Sequence, residues 1–302
     1  MKQLMLTLIL ASAALLISLG EVPRSEASAE AAQGRVVAVN NPLAFFAGYL
    51  LEDSGVTVEL LVPADSDPAL WQPSIDDILS MQQANLILLN GAGYSPWLAR
   101  VSLPAERLVV TGKNFRDEWI TIQGKVTHSH GPGGEHAHAG HAFTTWLDYQ
   151  LAAVQASNTA AALAKRWPEQ AGQIGTRLAT LLEALNALDD GYQQLAPTLG
   201  QRQLIYSHPV YQYFERRYSL EGLSLHWEPS QMPAESEWQA LAAQSGPDTL
   251  MIWEAEPSAE IASRLADLGI AWRVLDPGAN RGHNDWLSLQ RANLEGLQTI
   301  TP

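Results

Sequence analysis

Between Thr127 and Phe143 the chain reads HSHGPGGEHAHAGH, which gathers five of its eight histidines, His128, His130, His136, His138 and His141, into one short stretch. Neutral imidazole binds zinc and other late transition metals, and a pKa near 6.5 leaves it unprotonated and ready to do so at neutral pH. A stretch this rich in Gly and Pro reads as a loop, neither helix nor strand. It is either a metal-handling loop or a solvated low-complexity segment.

A second set of donors falls at the ends of expected strands. QLIYSH, TLMIWE and AWRVLDP place His208, Glu254 and Asp276 just beyond three β-type runs. In open α/β sheets ligands bind beyond the carboxyl ends of the strands, so these three are candidate nitrogen and oxygen ligands. Each also has a plainer reading: His208 as a turn residue before Pro209, Glu254 as a solvated carboxylate, Asp276 as an Asx turn before Pro277. His226 reads as a structural histidine, and His283 as a residue beside a helix start.

The elements that must position these groups follow from periodicity. RVVAVN reads as a strand and PLAFFAGYLLED as a helix; VTVELLVP, NLILLNG and RLVVTG read as further strands, and SIDDILSMQQA as a helix capped by Ser74. Strands alternating with helices imply parallel sheets covered on both faces. From Trp146 the sequence turns Ala/Leu/Gln-rich and helical, broken near Pro168, with Leu178, Leu181, Leu182, Leu185 and Leu188 on one face. The α/β alternation then returns through PVYQYFERRYS, AESEWQALAAQ and SAEIASRLADL, ending in a helix from about Asn284 to Leu297. The expected fold is α/β: two lobes with parallel sheets, joined by a long rigid helix, with a ligand cleft between them. Residues 34–147 would form the first lobe, 148–198 the helical linker and 199–302 the second lobe.

Composition narrows the function. With 302 residues, 46% of them hydrophobic, and a formal charge of −14, the chain is globular and acidic, which argues against nucleic acid and favours cations. With no cysteine, any metal is held by nitrogen and oxygen, without thiolate or a lipid-modified cysteine. Lys2, the apolar run from Leu4 to Leu19 and the small residues Ala27-Ser28-Ala29 read as a secretory signal peptide over residues 1–29, with retention as an anchor as the alternative. No HExxH, GxSxG or P-loop motif is present, so protease, esterase and NTPase readings have no support.

Five segments taken in order, DPALWQPSIDDI, LILLNGAGYSPWL, FTTWLD after the histidine stretch, SHPVYQYFERRYSL and VLDPGA, resemble the zinc- and manganese-binding solute-binding proteins of bacterial ABC importers, of the ZnuA/TroA type. The resemblance implies a periplasmic monomer that captures zinc, manganese or another divalent transition metal in an interlobe cleft and passes it to a membrane permease. His208 and Asp276 match two ligand positions of that family. Ala69 and Thr144 stand where the pattern places two histidines, and neither replaces an imidazole. The histidine stretch is then expected either to complete the site, His138 or His141 foremost with His128 and His130 as alternatives, or to act as a separate weak collector. Functions of other classes are a metal-storage, chaperone or adhesion protein without a transporter, and a hydrolase using a metal on His208, Glu254 and Asp276 to activate water.

Overall fold

In the computed structural model the described residues are 34–64, 66–129, 135–282 and 285–300; side chains are described throughout these except at 123–129 and 135–139. The leader, His130 and His283 lie outside the described residues.

The first lobe is built on a parallel sheet in the order β2-β1-β3-β4, from β1 (Gly34–Ala38), β2 (Val56–Leu60), β3 (Leu86–Leu89) and β4 (Leu108–Val110). Asn40 ends β1 and caps α1 (Asn41–Leu50), its Oδ1 accepting from the Leu43 amide at 3.2 Å. Ser74 caps α2 (Ile75–Gln83), as expected, in a reciprocal capping box with Asp77.

The second lobe repeats the plan with the order β10-β9-β7-β8, again all parallel. Its strands are β7 (Gln203–Tyr206), β8 (Gly222–Ser224), β9 (Thr249–Trp253) and β10 (Ala271–Val274). Three helices, α5 (Gln212–Tyr218), α6 (Glu235–Gln244) and α7 (Ala259–Asp267), connect them, and α8 (Trp286–Gln298) closes the chain. Strand β8 is only three residues long and opens on glycine, which hides it from periodicity.

Between the sheets run α3 (Tyr149–Arg166) and α4 (Ala171–Leu199), separated by a turn at Pro168. Leu181, Leu185 and Leu188 of α4 are buried, along with Ile174, Tyr192 and Leu195. One apolar core runs from the first sheet through α3 and α4 to β7 and α8, so the strut is welded to both lobes. Asp189 of α4, 2% exposed, accepts from Arg217 Nε at 2.8 Å, from Tyr218 at 3.0 Å and from Gln150 at 2.9 Å. Burial pushes this carboxyl up, but the hydrogen bonds from Arg217, Gln150 and Tyr218 outweigh it and its pKa falls below the usual carboxylate range. That ionic knot fixes α5, the helix that follows His208.

The histidine stretch departs from the loop expectation. Thr121–Ser129 forms β5 and Glu135–His141 forms β6, an antiparallel pair that sets His128 opposite His136 and His138 opposite Val126. The Gly and Pro that argued against strands are concentrated at positions 131–134, between them. The Glu-His-Ala-His-Ala run has the two-residue alternation of a strand.

Candidate metal-capture cleft

Both sheets have a topological switch point, where successive connections leave to opposite sides and the strand ends splay. In the first sheet it lies between β1 and β3, and the residues there are Asn40 and Asn90. Asn90 Oδ1 accepts from Asn40 at 3.3 Å, from Gln155 at 3.0 Å and from Thr145 at 3.3 Å, while its amide donates to the Phe143 carbonyl at 2.9 Å. This buried amide knot has its hydrogen bonds satisfied and locks the segment Phe143–Thr145.

In the second sheet the switch point lies between β7 and β9, and its residues carry chemistry. His208, 4% exposed, stands just beyond β7, and Glu254 just beyond β9. Nδ1 of His208 lies 3.2 Å from the Trp227 carbonyl and 3.3 Å from Glu254 Oε1, and Nε2 lies 3.6 Å from Glu228 Oε1. A backbone carbonyl only accepts, so it assigns the proton of the neutral ring to Nδ1 and leaves the Nε2 lone pair on the Glu228 side. A ligating histidine is commonly oriented in this way, through its second nitrogen, by a carbonyl or carboxylate. Two donors at zinc distances of about 2.0–2.1 Å subtend about 3.4 Å at a tetrahedral angle, close to the observed gap between Nε2 and Glu228.

Asp276 follows β10 on the same sheet edge. Its Oδ1 accepts from the Gly278 amide at 2.7 Å, and its backbone carbonyl accepts from Asn293 at 2.8 Å. Desolvation raises its pKa, partly offset by the Gly278 amide, so its charge is one that a bound cation would stabilise. Gly278 has φ +65°, and a Cβ there would meet Trp286 at 2.8 Å; the turn in Asp-Pro-Gly-Ala needs glycine.

These residues face a cleft of about 340 Å³ between the two sheet edges. From the second lobe it is lined by His208, Glu228, Glu254 and Asp276, and from the first by Asp67, Ala69, Tyr94, Ile122, Phe143, Thr144 and Trp146. Polar staples hold the walls together: Trp146 Nε1 donates to the Pro277 carbonyl at 2.8 Å, the Asn41 amide to Ala279 at 2.8 Å, and the Asn280 amide group to both Pro63 and Ser66 at 2.7 Å. The Thr144 hydroxyl donates to the Val210 carbonyl, so it fastens the lobes.

The structure thus brings His208, Glu254 and Asp276 to one cleft wall and adds Glu228, which stands four residues beyond the short strand β8 and carries no strand-end signal in the sequence. Among the described residues, however, no group of three or more His, Asp or Glu side chains is arranged ready to hold a metal ion. His141 is not among the residues lining the cleft: its ring packs edge-on to Trp119 with centroids 5.4 Å apart. His138 stands four residues along β6 from the cleft-lining Ala142, about 13 Å of extended chain. His226 is exposed, with its ring 6.0 Å from that of His208.

The profile of the family described as zinc-uptake complex component A, periplasmic (ZnuA), matches residues 36–300. The chain belongs to the ZnuA family. It is 24% identical over 294 residues to the zinc-binding protein AdcA of Streptococcus pyogenes, covering 89% of this chain and 57% of that protein. The chain therefore spans just over half of that relative's length. With the high-affinity zinc uptake system protein ZnuA of Bacillus subtilis it shares 23% identity over 87% of this chain and 86% of that one. The crystal structure of the Zn(II)-bound ZnuA-like domain of Streptococcus pneumoniae AdcA superposes with a TM-score of 0.73 at 18% identity, covering 88% of this chain and 98% of that one, which establishes the shared fold. Within this ZnuA fold, the cleft keeps His208 and Asp276 where the sequence motifs place them. Ala69 and Thr144 open its other wall.

Proposed function

We propose that this protein captures a divalent transition metal, zinc foremost, outside the cytoplasm and delivers it to the membrane permease of an ABC importer. The observation that carries this reading is the imidazole of His208, oriented through Nδ1 and facing Glu228 through Nε2, in a cleft lined by carboxylates and, among its described residues, by no Lys or Arg. His208 and Glu228 supply the first donors, Asp276 closes on the same ion, and Glu254 orients the imidazole or adds an oxygen. The role is binding without turnover. The leader over residues 1–29 supports export, and no described helix is long and apolar enough to cross a membrane.

The histidines of the β5–β6 strand pair act as a collector at the cleft mouth. Ile122 and Ala142, at the base of that pair, line the cleft, whereas His128 and His136 sit six residues further along their strands. Collection there raises the local metal concentration without supplying cleft ligands. Equilibrium dialysis of the metal-free protein against zinc tests the whole reading. One ion lost in His208→Ala, beside several weaker ions lost on removing residues 126–138, supports it; no ion that depends on His208, whether zinc is offered alone or with a small chelator, overturns it.

A further inference from the structure

A bare zinc ion held by four protein donors needs almost no empty space, yet the cleft encloses about 340 Å³. That falls within the ~300–1,000 Å³ of small-molecule pockets. The two walls are also chemically unlike. The second-lobe wall carries His208, Glu228, Glu254 and Asp276, whereas the first-lobe wall offers Ala69, Ile122, Phe143 and Trp146 beside a single carboxylate, Asp67, whose Oδ1 accepts from the Ala69 amide at 2.8 Å, with Thr144 already committed to the Val210 carbonyl. A metal seated on the second-lobe wall has coordination positions pointing at a first-lobe wall with no nitrogen ligand among its described residues.

The first-lobe wall also carries a polar group in need of a partner. Tyr94 lines the cleft and is 2% exposed, its ring packed edge-on to Phe143 and Trp146 with centroids 5.3 and 5.6 Å away. Its hydroxyl is buried with no hydrogen-bond partner among the described residues. A guest oxygen that reaches this hydroxyl would give it the partner it lacks among the described residues. An acidic cleft without Lys or Arg among its described residues also favours a guest that keeps net positive charge.

We propose that the cleft takes its metal together with one small nitrogen-donor chelator, the metal on His208 and Glu228 and the organic part against the apolar wall, with an oxygen of the chelator reaching Tyr94. The chelator supplies the nitrogen donors that Ala69 and Thr144 do not. This inference rests on the metal-capture reading and specifies its guest.

The test uses the metal-free mature protein with three probes: zinc alone, zinc with one equivalent of L-histidine, and L-histidine alone. Sign separates the outcomes, because a chelator that only competes for zinc weakens apparent binding. The expected result is at least tenfold tighter uptake with zinc and L-histidine than with zinc alone, no uptake of L-histidine alone, and a 1:1:1 complex in native mass spectrometry. Tyr94→Phe should weaken retention of the ternary complex. Ala69→His, which adds an imidazole to the bare wall, should tighten binding of zinc alone and abolish the benefit of L-histidine. Tight 1:1 zinc binding that L-histidine only weakens overturns this inference while leaving metal capture intact. Failure of both zinc probes to bind overturns metal capture as well.

Discussion

His208 and Glu254 end neighbouring parallel strands and meet with Nδ1 and Oε1 3.3 Å apart, while the opposite ring nitrogen faces Glu228. The two carboxylates therefore stand on different sides of one imidazole and should differ in their effect on binding. Glu228→Gln replaces a charged oxygen donor with a weaker neutral amide oxygen and should lower zinc affinity by more than about 100-fold. Glu254→Gln loosens the ring's orientation and should cost about 10–100-fold. Competitive titration against a chromophoric chelator measures both, and equal losses would mean that Glu254 also touches the ion.

Removing the segment from Val126 to His138 should leave one tight zinc per protein and eliminate the weaker ions. The strand base at Ile122 and Ala142, which lines the cleft, remains in that variant. Loss of the tight ion would mean that these histidines ligate in the cleft.

The Asp189–Arg217 pair should matter for stability rather than metal chemistry. Arg217→Leu leaves a buried carboxylate short of its principal partner and should cost about 3 kcal/mol in urea unfolding at neutral pH. Because the folded-state pKa of Asp189 is depressed, its contribution is present above the unfolded carboxylate value and fades as pH falls through the lowered one. The difference between the two proteins should therefore shrink in strong acid.

Glu215 on α5 has the opposite sign. Burial, with a smaller push from Glu221, raises its carboxyl from 4.5 to about 7 against the stabilising Gly222 amide. Its contribution is complete below about 4.5 and lost as pH rises through about 7. Glu215→Gln should accordingly match the parent near pH 4.5 and exceed it by about 1 kcal/mol at pH 8, allowing for solvent screening of this half-buried group. Thermal unfolding at the two pH values measures it.

Much of this architecture is legible in the chain because its strands are apolar runs and its helices carry explicit caps: Ser74 marks α2 and Pro168 marks the break between α3 and α4. His208, Glu254 and Asp276 are legible as ligand-type residues that follow apolar strand runs. Glu228 is not, because β8 has only three residues, Gly222–Ser224, and draws its strand character from pairing with β7. The strand pair β5–β6 is hidden in the sequence because local Gly and Pro outweigh a two-residue alternation that pairing across strands stabilises. The unpartnered hydroxyl of Tyr94 has no sequence signal; it emerges only once Phe143 and Trp146 close around the ring.

The most direct measurement is anomalous diffraction at the zinc edge from crystals of the metal-loaded protein. The account predicts one strong peak in the cleft about 2.0–2.1 Å from His208 Nε2 and within bonding distance of Glu228. A peak confined to the β5–β6 histidines, with none beside His208, would contradict it.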